Sequence, residues 1–159
     1  MQKPDTEKAL RWIVELFRKH DIPFQIAGGF AARMYGSQRE LADIDIGIPG
    51  DRFEDLFPEV KKYITFGPAQ YIDEEWNLKL MTLVYEGQEI DIADEDTIRF
   101  FDKTNHAWVI GRCDFSKYET KNIYGISIPV IPKESLIAHK KKIGREVDIE
   151  DARVLDTIY

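Results

Sequence analysis

The sequence holds a single cysteine, Cys113, which excludes an intramolecular disulfide and a cysteine-rich zinc site. Its three histidines, His20, His106 and His139, are scattered and show no metal-ligand spacing. No apolar run approaches the ~20 residues that span a bilayer, and nothing at the N-terminus reads as a secretory signal. Positive charge is in deficit: 22 Lys and Arg stand against 29 Asp and Glu, a net charge of −7. That balance argues against bulk nucleic-acid binding, which needs clustered positive charge. It leaves small nucleotides open, because a local metal neutralises their charge. Internal repeats, low-complexity tracts and a domain boundary are missing as well. The 159 residues, 43% of them apolar, are enough for one globular domain spanning 1–159. The expectation is a cytoplasmic protein.

Along the chain, Asp5 or Thr6 reads as the cap of a helix in which Leu10, Ile13, Val14 and Phe17 recur at helical spacing. Phe24 to Ala27 reads as a short strand. Gly28-Gly29 then opens a short helix to about Tyr35, with Gly36 as its stop. Ala42 to Ile48 alternates as a strand, and Pro49-Gly50-Asp51 leads into a helix reaching about Tyr63. Leu78 to Tyr85 and Gln88 to Ala93 form a hairpin about the turn Glu86-Gly87. Ile64 to Ile72 reads as a further strand, weakened by Pro68. Thr97 to Phe101 reads as a short helix, and residues 102 to 122 show no clear period. Ile126 to Ile131 alternates as a late strand that Pro129 assigns to a sheet edge. Pro132 to Gly144 and Asp148 to Tyr159 read as helices, the second capped by Asp148. The predicted fold class is α/β (α+β): a small mixed sheet backed by helices, with the C-terminal helical segment 132–159 packed on it.

The chemistry concentrates on three acidic residues. Strand side chains alternate faces, so Asp43 and Asp45 project from one side and Ala42, Ile44, Ile46 and Ile48 from the other. Asp91 lies between Ile90 and Ile92 on a predicted strand and faces the same way as Glu89 and Ala93. Asp94, its rival as a third carboxylate, points to the opposite face. Two carboxylates side by side near a Gly-Gly turn and a helix N-terminus suit a divalent metal and a phosphate. Trp12, Trp76 and Trp108 read as core or pocket-wall residues.

Gly28-Gly29, Arg39 ten residues later, then Asp43-Ile44-Asp45 resemble the polymerase-beta-like nucleotidyltransferase superfamily. The closest likeness is to its small bacterial branch, with aminoglycoside- and lincosamide-type enzymes and abortive-infection-type toxins. The tail from Leu136 to Asp151 is similar too, with Lys140, Gly144-Arg145, Asp148 and Asp151 at the family's positions. Phe30 follows the glycines where many members have serine, and Leu41 stands where threonine is common.

The resemblance implies Asp43, Asp45 and Asp91 as catalytic residues and ligands of two Mg²⁺ ions, and Gly28, Gly29, Arg39 and Lys140 as nucleotide-binding residues. It implies transfer of a nucleoside monophosphate from a nucleoside triphosphate to a hydroxyl of a small molecule or protein. In that chemistry Asp91 serves as ligand or general base, and Arg39 or Lys140 neutralises charge on the departing pyrophosphate. A homodimer with the acceptor pocket at its interface is a further implication. The alternative is a catalytically silent nucleotide-binding or toxin–antitoxin-type interaction protein of the same fold, using the aromatic stretch from Phe100 to Tyr124 as a contact surface.

Overall fold

A computed structural model describes residues 3–157. The chain opens with helix α1 (Thr6–Lys19), strand β1 (Gln25–Ala27), helix α2 (Gly28–Met34), strand β2 (Asp43–Ile48) and helix α3 (Phe53–Val60). Seven strands follow: β3 (Ile64–Ile72), β4 (Trp76–Tyr85), β5 (Gln88–Asp94), β6 (Arg99–Asp102), β7 (Ala107–Ile110), β8 (Glu119–Ile123) and β9 (Ile126–Val130). Helices α4 (Lys133–Ile143) and α5 (Glu146–Thr157) complete the described chain. The last two residues of the helix expected to reach 159 lie outside the described residues. The Asp5 carboxylate caps α1 by accepting from the Lys8 backbone N–H at 3.0 Å, which satisfies one of the first-turn donors. Gly144 ends α4 in the left-handed conformation, φ 66°.

All nine strands share one sheet in the order β7-β6-β4-β5-β2-β1-β9-β8, with β3 on β4. The central pair, β2 and β5, runs parallel and sets Asp43 opposite Glu89 and Asp45 opposite Asp91. Strand β4 carries β3 along one edge; along the other it carries β5 and then, after a break, β6. One face of the sheet holds Ile44, Ile46, Ile48, Met81, Leu83, Ile90 and Ile92, all buried beneath α1, α2 and α3. The other face carries the acidic residues. Strict alternation on the central strands is what separates the two.

Four local expectations are corrected. Thr97 to Phe101 is not a helix: Asp94 accepts from the Asp96 N–H and the Thr97 hydroxyl to form a turn, and strand β6 follows. Pro129 does not mark a sheet edge, because β9 is paired on both sides, to β8 throughout and to β1 where Val130 meets Ile26. The proline is tolerated there because β1 touches β9 only at its end. Asp148 is not the N-cap of α5, which begins at Glu146; its carboxylate instead reaches back to the Arg145 backbone N–H at 3.3 Å, the reciprocal half of a capping box. Trp108 lies on β7, 44% exposed, and is not a core residue. No described helix is long and apolar enough to cross a membrane.

Candidate active site

The parallel register of β2 and β5 brings Asp43, Asp45 and Asp91 together. One carboxylate oxygen from each lies within 4.8 Å of the other two. Burial, then the Asp43 and Asp91 charges, pushes Asp45 well above the usual carboxylate range. Burial likewise raises Asp91 to about 7, with a hydrogen bond to Asp43 adding to the rise and one from Thr82 opposing it. The Thr82 hydroxyl donates to Asp91 Oδ1 at 2.6 Å from the neighbouring strand β4, fixing the carboxyl's orientation. Three close carboxyl groups, two of which, Asp45 and Asp91, have charged forms disfavoured in the bare protein, are a fitting donor set for a hard divalent cation, whose charge would reverse that cost.

The Gly28-Gly29 turn is shaped by what lies against it. Gly28 has φ +59°, and a Cβ added there would fall 2.1 Å from Asp45 Oδ2. A Cβ at Gly29 would fall 2.8 Å from an Arg39 guanidinium nitrogen. The two glycines thus bring backbone between the acidic cluster on one side and a cation on the other.

The tail motif forms a buried ionic lock. Asp148 and Asp151 on α5 are each 1% exposed. Asp151 takes a two-point contact from Arg39, at 3.1 and 2.8 Å, and an ion pair from Lys140 at 2.9 Å. Asp148 takes Arg145 at 2.6 and 3.2 Å and Lys140 at 3.5 Å. Burial pushes Asp151 up, but the hydrogen bonds from Arg39 and Lys140 outweigh it and hold the group below the usual range. Lys140 is therefore sealed between two carboxylates, while Arg39 keeps one side open beside Gly29.

The three aspartates, the Gly28-Gly29 turn, Arg39, Lys140, Arg145 and Asp148 border a cleft of about 730 Å³, roofed by α4 and walled by Trp76, Leu78, Ile98 and Phe100. Sequence reasoning missed two lining residues. Thr82 orients Asp91. Glu95 continues the alternation of Glu89, Asp91 and Ala93 by one step, a signal that was present in the chain. Cys113 also lines the cleft, where burial followed by the Glu95 charge pushes its thiol up to about 12, so it is not a ready nucleophile.

No protein-family model matches the chain, and no curated protein sequence does. Solved structures do. A candidate nucleotidyltransferase from Thermotoga maritima superposes with a TM-score of 0.73 at 21% identity, over 98% of this chain and 93% of the other. The chain has the nucleotidyltransferase fold. The lincosamide antibiotic adenylyltransferase LnuA, solved with lincomycin, shares that fold at TM-score 0.63 and 20% identity, with both chains fully covered. The aminoglycoside enzyme ANT(2'')-Ia, solved with adenylyl-2''-tobramycin, matches at TM-score 0.61 and 17% identity, over 97% of this chain and 89% of that one.

Proposed function

We propose that the protein is a Mg²⁺-dependent nucleotidyltransferase of the cytoplasm, moving a nucleoside monophosphate from a nucleoside triphosphate to a hydroxyl on a small molecule. The observation that carries this reading is the convergence of Asp43, Asp45 and Asp91 within 4.8 Å beside the Gly28-Gly29 turn. Solved proteins of the same fold that adenylylate antibiotics support it.

Asp43, Asp45 and Asp91 would hold the metal, which supplies charge neutralisation at the triphosphate and a lowered pKa for the attacking hydroxyl. The chain's own groups do the rest. Backbone N–H groups at Gly28 and Gly29 approach the phosphates closely because neither residue has a side chain. Asp91, oriented by the Thr82 hydroxyl, accepts the proton from the acceptor hydroxyl. That oxygen bonds to the α-phosphorus as the bond to the β-phosphate oxygen breaks and pyrophosphate leaves. Arg39, locked at one end by Asp151, presents its guanidinium over Gly29 to the departing charge. Lys140 reaches the site by positioning Asp151, and through it Arg39.

The test is thermal melting of the wild type and of Asp43→Asn/Asp45→Asn with Mg²⁺ and each of the four ribonucleoside triphosphates. A ligand that binds only the folded state raises Tm by mass action. The expected result is a Mg²⁺-dependent rise with at least one nucleotide, ATP first, lost in the double variant. No rise with any nucleotide would refute the proposal.

A further inference from the structure

The strand register gives the catalytic face two ends, one on each side of the aspartates. Ala27 pairs with Asp45, Asp45 with Asp91 and Asp91 with Thr82, and Thr82 pairs in turn with Phe66 on β3. These residues form one row across β1, β2, β5, β4 and β3. Gly28, which follows Ala27, stands at one end. Phe66 stands at the other, two strand spacings or about 10 Å from Asp91.

Two bulges put aromatic rings at that far end. β3 sets two residues against one of β4 between Ile64 and Phe66, and three against two between Phe66 and Ala69. Each extra residue reverses the face that the following side chains take. Ile64 packs against the core, so an unbroken strand would send Phe66 to the core side as well. The first bulge turns it to the catalytic face instead. The second brings Tyr71 to that same face, opposite Leu78. There Gly67 comes so near β4 that an added Cβ would fall 2.1 Å from the Leu80 carbonyl oxygen. The two rings meet edge to face with centroids 6.0 Å apart, and the Tyr71 hydroxyl donates to Asp73 Oδ2 at 2.9 Å. Phe66 is 38% and Tyr71 37% exposed, and Tyr71 lines the cleft. Single exposed apolar side chains are ordinary. Two rings aimed by two separate bulges at the face that carries the aspartates are a built surface.

In-line displacement decides which reactant reaches them. The attacking oxygen and the departing pyrophosphate lie on opposite sides of the α-phosphorus. With the departing phosphates against Gly28 and Gly29, the acceptor approaches over Asp91 and Thr82, and its body extends toward β3. We propose that Phe66 and Tyr71 are a stacking platform for the acceptor, which carries a flat aromatic ring about 10 Å from the hydroxyl that receives the nucleotidyl group. This rests on the nucleotidyl-transfer reading and specifies the acceptor as a small hydroxyl compound with an aromatic ring. Stacking of the donor's base on the same rings is the competing arrangement, and nucleotide binding by a variant without the rings separates the two.

The experiment measures binding of 6-phenyl-1-hexanol and 6-cyclohexyl-1-hexanol, which differ only in whether the ring is aromatic. Binding to the full chain is read by saturation-transfer NMR in the wild type, Tyr71→Phe and Phe66→Leu/Tyr71→Leu. The wild type should bind the phenyl probe roughly threefold or more tightly, the scale of one aromatic contact. The preference should survive in Tyr71→Phe, which keeps the ring and loses the bond to Asp73, and vanish in the double variant. Equal binding of the two probes by the wild type, binding of neither, or a preference that survives in the double variant overturns the proposal. Thermal melting with Mg²⁺ and nucleotide is read on the same samples, and its transition reports that each variant is folded. The double variant should keep the wild-type nucleotide shift; loss of the shift there would give the rings to the donor's base and overturn the acceptor role. A nucleotide shift in the wild type without a phenyl preference refutes the platform alone. A phenyl preference without a shift from any nucleotide refutes the nucleotidyl-transfer reading, and the acceptor role with it.

Discussion

The carboxylate of Asp45 fills the space that a side chain on Gly28 would need, with Oδ2 2.1 Å from the position of a Cβ. Gly28→Ala must therefore displace Asp45, and it adds the strain of an L-residue at φ +59°, about 1–2 kcal/mol. Small misplacements of a reacting group cost roughly 10²-fold in rate. The expected outcome is a loss of that order in pyrophosphate release, with circular dichroism unchanged. A variant that turns over at the wild-type rate would show that Asp45 has no part in the chemistry.

The raised acids set a direction for stability against pH. Asp45 is held well above the usual range, Asp91 at about 7 and Glu95 at about 8, all with burial as the leading cause. Above ~4 each group is ionised when unfolded but stays protonated when folded until its raised pKa is reached, about 7 for Asp91 and about 8 for Glu95, so unfolding releases protons and stability falls as pH rises through that window. Tm of the metal-free protein in EDTA should drop from pH 5 to pH 8.5. Mg²⁺ should flatten that slope by stabilising the ionised aspartates. A Tm that climbs across this range in EDTA would contradict the raised values.

Stability and activity should part company at Asp45. In the metal-free protein its charge is opposed by burial and by two neighbouring carboxylates. Asp45→Asn removes a carboxyl at nearly constant volume. In EDTA at pH 8, Tm of this variant should exceed that of the wild type, while Mg²⁺-dependent transfer disappears. Lowered stability together with retained transfer would mean that the three carboxylates do not act as one metal site.

The central sheet was legible because β2 and β5 alternate cleanly, so Asp43, Asp45 and Asp91 fall on one face by period alone, opposite Ile44, Ile46, Ile90 and Ile92. The stretch from 97 to 123 was not legible. Strands β6 and β7 have four residues each, too few to display a period. Strand β8, Glu-Thr-Lys-Asn-Ile at a sheet edge, is mostly exposed and lacks an apolar face. The pairing of Phe100 with Trp76 and Val109 is decided by distant partners, which no local window contains. Asp148 and Asp151 were visible as a motif, but their burial was not. A helix start rich in acids normally faces water, and only the arrival of Arg39, Lys140 and Arg145 from three separate segments turns these two inward.

That lock yields a prediction separating structural from catalytic roles. Asp151 and Lys140 have side chains 2% and 5% exposed, and removing one member of such a buried pair costs about 3–5 kcal/mol. Asp151→Asn should therefore lower Tm by roughly 10 °C in a chain of this size, and it should slow turnover because Arg39 loses its two-point anchor. Arg39→Ala, at a side chain 38% exposed, should leave Tm nearly unchanged and still slow turnover, since Lys140 continues to satisfy Asp151. The double variant Asp151→Asn/Lys140→Met should recover stability relative to Asp151→Asn, because the buried ammonium left with only its longer contact to Asp148, at 3.5 Å, is gone and Arg145 still pairs with Asp148, without recovering the rate. Melting curves and pyrophosphate release on the same four proteins check all three statements. If Arg39→Ala turned over normally, the guanidinium would be only a strut between α5 and the loop before β2, and the charge on pyrophosphate would have to be met by another group lining the cleft.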